Sequence, residues 1–474
     1  MSAKLWRPDD PWARGGRSGV RRRDVFVIVL TLTLVLAVLA FAAPALGKPL
    51  PGRFQWGTWY NGSGNGDDGY KAIATWPDGT VCAAGYVTSA GEALNVVVAK
   101  YSPGGGLRRW VHTWDNDAVH GDDMARAVSV DGRGNVFVAG ESVGVGAVVD
   151  IVLLKYTAGG RRLWARRCTP AGSQGAHVTD MKLDGNGNVF IAGSVMRPGT
   201  TTDWVILKFD RSGHLKWTRW YVGPGASADS VSDLAVDGSG RVYVTGGSNQ
   251  GATGWDATTG CWSASGARRW LRTIDHAGST GDQAQAIALG GGGVYVAGYS
   301  GGGATEDDIL VAKYSTAGSR KWVRYWDDPD HKRDATGDLA VDGAGNAYIA
   351  GFARTAAGDQ AAVVVKYAPA GSRRWERFSG EAGADRVWEQ VRFNGRTGRL
   401  VVAGDSDAGA DPREIVLASY SSAGSRRWQR FYDGPADLDT SVGDLALWGA
   451  YFYFCGITDT VAEDLNALIC KYSQ

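Results

Sequence analysis

Across 474 residues the chain has only five cysteines, six histidines and four methionines. The cysteines (Cys82, Cys168, Cys261, Cys455 and Cys470) are isolated from one another, with no C-x-x-C pair. That spacing excludes a zinc ribbon and a dithiol redox centre, and reads as small buried hydrophobes. Cys455 and Cys470 are placed so that they could pair in an oxidising compartment, and the odd count leaves at least one thiol free. No excess of either charge sign exists: 50 Lys and Arg face 49 Asp and Glu, a net of +1. A nucleic-acid binder should be strongly basic, so that class is set aside. Helix-period stretches are absent after residue 52, as are low-complexity segments and internal linkers. So are Gly-x-Ser-x-Gly, His-Glu-x-x-His and phosphate-cradling glycine loops.

One long apolar run exists, and it is N-terminal. Arg14, Arg17 and Arg21-Arg22-Arg23 precede an uncharged stretch from Val25 to Ala43, followed by Ala45-Leu46-Gly47. A basic flank, an apolar core and small residues at the −3 and −1 positions make residues 1–47 a secretory signal, cut after Gly47. The run is also long enough for an uncleaved anchor, with its Arg-rich end inside. Either way the remainder is exported, with 48–52 as a short linker. Membrane contact is expected only through residues 25–43, if they are retained.

What is abundant is glycine, 69 residues, and tryptophan, 20. They recur with a period. Asp180 to Tyr221 reads as four short strands: one closing at Leu183, an Asp-Gly-Asn-Gly turn, Val189 to Gly193, Trp204 to Phe209, and a last strand carrying Trp217, Trp220 and Tyr221. A glycine read as ending the second strand recurs at Gly85, Gly140, Gly193, Gly246, Gly298, Gly351, Gly404 and Gly456. Eight copies of a unit that cannot bury its faces alone predict an all-β, eight-bladed β-propeller of four-stranded antiparallel blades over residues 53–474. The eighth copy stops at Lys471-Tyr472-Ser473-Gln474, before a fourth strand. Trp56-Gly57-Thr58-Trp59-Tyr60 matches Trp217 to Tyr221, so the N-terminal strand should complete the last blade. Trp56, Trp110, Trp164, Trp217, Trp270, Trp322, Trp375 and Trp428 then form a structural ring, one per blade.

The hairpin Val130-Asp131-Gly132-Arg133-Gly134-Asn135-Val136-Phe137-Val138-Ala139-Gly140, seen again at Val341 to Gly351, resembles the bacterial β-propeller repeats called SBBP repeats. The resemblance covers about residues 53–474. It implies an extracytoplasmic surface or secreted scaffold with no assigned chemistry. The step from Lys208 to Trp217 is also similar to the tryptophan-docking motif of quinoprotein propellers. The adjacent cysteine pair of those enzymes is missing here, so neither resemblance implies catalytic residues.

Propeller topology puts the long, variable loops on one face, the candidate site. Asp68, Asp123, Asp229, Asp282, Asp334, Asp385 and Asp439 precede first strands there. Asn95, Asp150, Asp203, Asp256, Asp308, Glu414 and Asn466 open third strands. Asp150, Asp203, Asp229, Asp256, Asp308 and Glu414 are the ligand-binding candidates: such carboxylates can hold Ca²⁺ or sugar hydroxyls. A ring recurring in every blade fits turn caps better, so no cofactor is required and Ca²⁺ stays an option. His120, His177, His276 and His331 belong to different blades, which speaks against a zinc site. Asp184-Gly185-Asn186-Gly187-Asn188 has the start of a calcium loop without its position-six Gly or position-twelve Glu, and reads as a hairpin turn. Pairs such as Arg108-Arg109, Arg161-Arg162, Arg268-Arg269, Arg320-Lys321, Arg373-Arg374 and Arg426-Arg427 load the opposite face. They read as edge-strand guards or a seat for anionic polymer.

The expectation is an exported, monomeric binding or scaffold module, its partner a cell-wall glycan or surface protein. Two alternatives stand beside it: an extracytoplasmic hydrolase or lyase using the acid-face carboxylates, and a cell-wall adhesin working through the basic face. Paired acids in a deep pocket would favour the first.

Overall fold

The computed structural model describes residues 51–474, apart from 65, 90–92, 200, 225–227, 252, 277–280, 302–305, 410–411, 435–437 and 460–464. The signal or anchor predicted for residues 1–47 lies outside the described residues. Among the described residues no helix is long and apolar enough to cross a membrane.

Each repeat becomes one antiparallel sheet whose strands lie in sequence order. In the fourth blade these are Asp229–Val236, Val242–Asn249, Trp255–Trp262 and Arg268–Ile274, innermost to outermost. Third strands such as Leu94–Tyr101 and Ile309 to Ala312 are buried on both sides, because each blade is covered by two neighbours. The buried clusters lie between consecutive blades and not at a common centre; one joins Val152 and Leu154 of the second blade to Ala84 and Val98 of the first.

The eighth blade is ordered Phe54–Tyr60, Leu465–Ser473, Tyr451–Asp459, Thr440–Trp448. Trp56 pairs with Lys471, and Tyr60 with Ala467, so the first strand of the chain is the outer strand of the last blade. The clasp begins before that strand: Gly52 N–H donates to the Ser473 carbonyl at 3.0 Å.

Three sequence expectations change. The repeated glycine does not end the second strand, which runs on for two or three residues, as in Val136–Val143 around Gly140. Instead it faces a β-bulge in the first strand, found between Ala125 and Ala127 and at the matching place in the other unbroken first strands. A Cβ on Gly140 would stand 2.0 Å from the Met124 carbonyl oxygen, so no side chain fits there. Next, the blade-seven inner strand is split into Asp385–Arg386 and Gln390–Asn394. Arg386, not Asp385, pairs with Ser406, where Asp282 pairs with Ser300; in the eighth blade Thr440 takes that place, not Asp439. Finally, Cys455 pairs across with Ile469 and Cys470 with Phe454, one residue out of step. Successive side chains point to opposite sides of a strand, so these two cysteines fill different seams and all five thiols are free.

Candidate functional site

Alternating strand direction puts the starts of first and third strands on one face, and the starts of second and fourth strands on the other. Asp229 and Asp256 therefore share a face and Arg268 lies on the opposite one, as their registers show. Exposed arginines and lysines at the fourth-strand starts, among them Arg108, Arg162, Arg268, Arg320, Arg373 and Arg426, give that second face its charge.

On the basic side, among the described residues, five seams are closed by one device, and Trp270 on Thr316 and Lys155 on Arg211 keep half of it in two more. Trp322 Nε1 and Lys313 Nζ of the fifth blade both donate to the Pro369 carbonyl in the third-to-fourth turn of the sixth, at 3.0 and 3.1 Å. Trp110 with Lys100 does the same to Ala158, Trp217 with Lys208 to Ala264, and Trp375 with Lys366 to Ser422. Trp56 and Lys471, from the two ends of the chain, close the ring on Pro103. The turn glycine is what lets the indole lie flat. Gly371 has φ +85°, and a Cβ there would be 2.8 Å from the Trp322 ring. Trp164 and Trp428 occupy the matching places, against Gly213 and Gly52. Burial pushes the Lys155, Lys366 and Lys471 ammonium groups below their ordinary range, as expected for charges held in a packed seam.

The opposite side is not uniform. Asp229 is fully buried, and its carboxylate accepts the N–H groups of Gly223 at 2.6 Å and Asn249 at 3.2 Å. Asp68, Asp123, Asp282 and Asp334 likewise accept loop N–H groups from Gly62, Asn116, His276 and Asp328. These are loop clasps. Asp203, Asp256 and Asp308 meet such an aspartate across the seam, whereas the matching place in the blade after Asp150 is Ala176, and what accompanies each carboxylate differs. Asp150 receives Arg167 at 2.5 Å, and Asp203 receives Arg197 at 3.4 Å. Glu414 is half-buried, and the place opposite it is the neutral Thr440.

Among the described residues two seams gather three carboxylates each. Asp256 and Asp275 of the fourth blade meet Asp282 of the fifth, and Asp308 and Asp327 of the fifth meet Asp334 of the sixth. Within each trio one oxygen per residue lies within 4.8 Å of the others. Burial and like charge raise Asp334 to about 8, and mainly burial raises Asp256 to about 6. His331, at φ 54°, sits over Asp327 with Nδ1 at 2.5 Å from Oδ2. His276 instead stacks on Tyr325 at 3.9 Å, and His177 lies 3.4 Å from Glu141. Among the described residues neither trio includes a histidine.

Five of the six ligand-binding candidates are therefore too buried to touch a large ligand: Asp150, Asp203, Asp229, Asp256 and Asp308 are at most 8% exposed. Their groups serve loops, arginines or each other. The trio spacing is also tighter than the roughly 5–9.5 Å separating glycosidase carboxyl pairs. Asp184, the start of the calcium-like hairpin, spends its oxygens on the Asn186 and Asn188 N–H groups and the Asn188 amide.

A further charged belt lies in the central channel, a cavity of about 960 Å³ lined by the inner strands. Asp180 pairs with Lys182, while Arg392 bridges Asp338 and Asp444, the latter at 2.8 Å. Asp233, Asp338 and Asp444 each accept an N–H from the next blade: Ile287 at 2.9 Å, Val391 at 3.0 Å and Ile73 at 3.1 Å. Sequence reasoning passed over this belt. Its signal is an Asp four residues before the hairpin turn, in four copies of the repeat.

Fold and site together define an eight-bladed β-propeller with one basic and one carboxylate-bearing face. No family model matches the chain, and no curated protein does. Among solved structures it is similar to a eukaryotic initiation factor, at 8% identity over 85% of this chain and 90% of that one, TM-score 0.44. It is similar to polysaccharide lyase Uly1, at 9% identity over 85% and 90%, TM-score 0.44. Drosophila Plexin A in complex with Semaphorin 1b follows at 8% identity over 90% and 88%, TM-score 0.42.

Proposed function

We propose that the chain is an exported, SBBP-type propeller serving as a binding scaffold on or outside a bacterial cell. In this reading the varied acid face engages a surface glycan or protein. The observation that carries the reading is the contrast between faces: among the described residues five seams carry the same Trp–Lys latch and two more carry half of it, which makes a stiff ring, while the other face changes from seam to seam. A rigid frame with individual loops is how binding surfaces are built on propellers and similar scaffolds. The basic run and apolar stretch of residues 1–47 support export. The catalytic alternative is disfavoured by burial, since Asp203 and Asp229 have no exposed surface for a substrate to touch.

Two measurements test this reading. In cell fractionation and protease shaving the propeller should be reached from outside intact cells; a protein retained in the cytoplasm overturns export. On an array of cell-wall glycans and surface proteins, retention should weaken when exposed acid-face residues such as Asp117 and Glu306 are neutralised. Retention unaffected there but lost with Arg268, Arg373 and Arg426 would move the function to the basic face.

A further inference from the structure

We propose that the seams between the fourth and fifth and between the fifth and sixth blades are calcium sites, the first held by Asp256, Asp275 and Asp282, the second by Asp308, Asp327 and Asp334. This rests on the reading of the acid face as the functional one and names the ion it takes.

The geometry fits that ion. Ca²⁺ takes oxygen ligands at about 2.3–2.6 Å, so ligand oxygens around one ion lie no more than about 5 Å apart. Both trios satisfy this, with their oxygens inside 4.8 Å. Mg²⁺, at about 2.1 Å, needs a closer set, and zinc or copper would seek nitrogen or sulfur, which neither trio offers.

The second observation is buried oxygen without a protein partner. Asp334 is fully buried, and Oδ2 holds the Asp328 N–H while Oδ1 has no hydrogen-bond partner among the described residues. Asp327 repeats this, Oδ2 on His331 and Oδ1 buried and unmatched. In the other seam Asp256, 4% exposed, gives Oδ2 to Thr253 and leaves Oδ1 unmatched. A buried acceptor left so is costly, about 1–3 kcal/mol or more when charged. The two preceding seams show what the fold places at such a carboxylate: a guanidinium, Arg167 on Asp150 and Arg197 on Asp203. A bound cation would do the same service in the two trios, and each ion would join carboxylates from two blades.

The test is calorimetric titration of the chelator-stripped, purified full chain with CaCl₂, and separately with MgCl₂, beside melting curves in both. Two calcium ions per chain are expected, with dissociation constants within about 10⁻⁶–10⁻³ M and weaker Mg²⁺ binding. Asp275→Ala should remove one ion, Asp327→Asn the other, and the double variant both, together with the calcium-dependent rise in Tm. No calcium binding by the wild type at millimolar concentration overturns the proposal. So does a double variant that binds as the wild type does. Should Asp327→Asn fail to fold, Asp275→Ala alone decides, because that carboxylate is exposed and its loss spares the packing; unchanged stoichiometry there is fatal. The titration reports on the ion sites whether or not a surface partner is ever found, so it fails separately from the binding-scaffold reading.

Discussion

The seam between the fifth and sixth blades has two ends, and they are built differently. At the basic end Trp322 and Lys313 share the Pro369 carbonyl, so both donors have a partner. At the acid end of the same seam Asp308, Asp327 and Asp334 crowd together, with two buried oxygens left without hydrogen-bond partners among the described residues. Among the described residues the basic end recurs as a complete latch in five of the seams; the acid trio recurs once, in the preceding seam. Repetition marks what a ring needs to close, because every seam faces the same geometric demand. Departure from repetition marks what a single seam does in addition.

The largest expected effect tests the repeated end. Deleting residues 51–60 strips the last blade of its outer strand and removes Trp56 from Pro103. Loss of a cooperative thermal transition is expected; a melting curve like that of the intact chain would mean that the closure is dispensable.

Next in size is Trp322→Ala. The side chain is 8% exposed and packs on Tyr295 and Tyr367, so truncation should cost about 3–5 kcal/mol in denaturant unfolding. Full stability with lost ligand binding would assign the tryptophan ring to recognition, and the contrast between the two ends would collapse.

The acid end should show itself in pH. Asp334 at about 8, Asp256 at about 6, Asp123 at about 6 and Glu389 at about 7 all lie above their ordinary values, mainly through burial. The folded chain therefore binds more protons than the unfolded one between about pH 4 and 8, and stability falls as pH rises through that window. With chelator present, Tm should be higher at pH 5.5 than at pH 8. A flat or opposite profile would show that these carboxylates are compensated in solution.

The smallest effect belongs to the exposed arginines. Arg374→Ala removes a charge that touches solvent, and stability should move by less than about 0.5 kcal/mol. Retention of the chain on an anionic resin should nevertheless drop, most visibly at low salt.

Blade number, strand order, the closing strand and the tryptophan positions were all legible in the sequence, because each depends on a pattern within one repeat or on matching one repeat to another. The acid face was legible only as a list of carboxylates on one side. Which of them meet was decided in three dimensions: Asp256 reaches Asp282 and Asp308 reaches Asp334 because adjacent blades bring the start of one third strand to the start of the next first strand. The same holds for Arg386 standing where an aspartate was expected, for Cys455 and Cys470 facing away from each other, and for the Asp belt of the channel. A repeat period specifies positions along the chain to within a residue, whereas a single residue of register turns a side chain to the other side of its strand. Contacts across a seam depend on that last residue in two blades at once, and only the packed ring sets both.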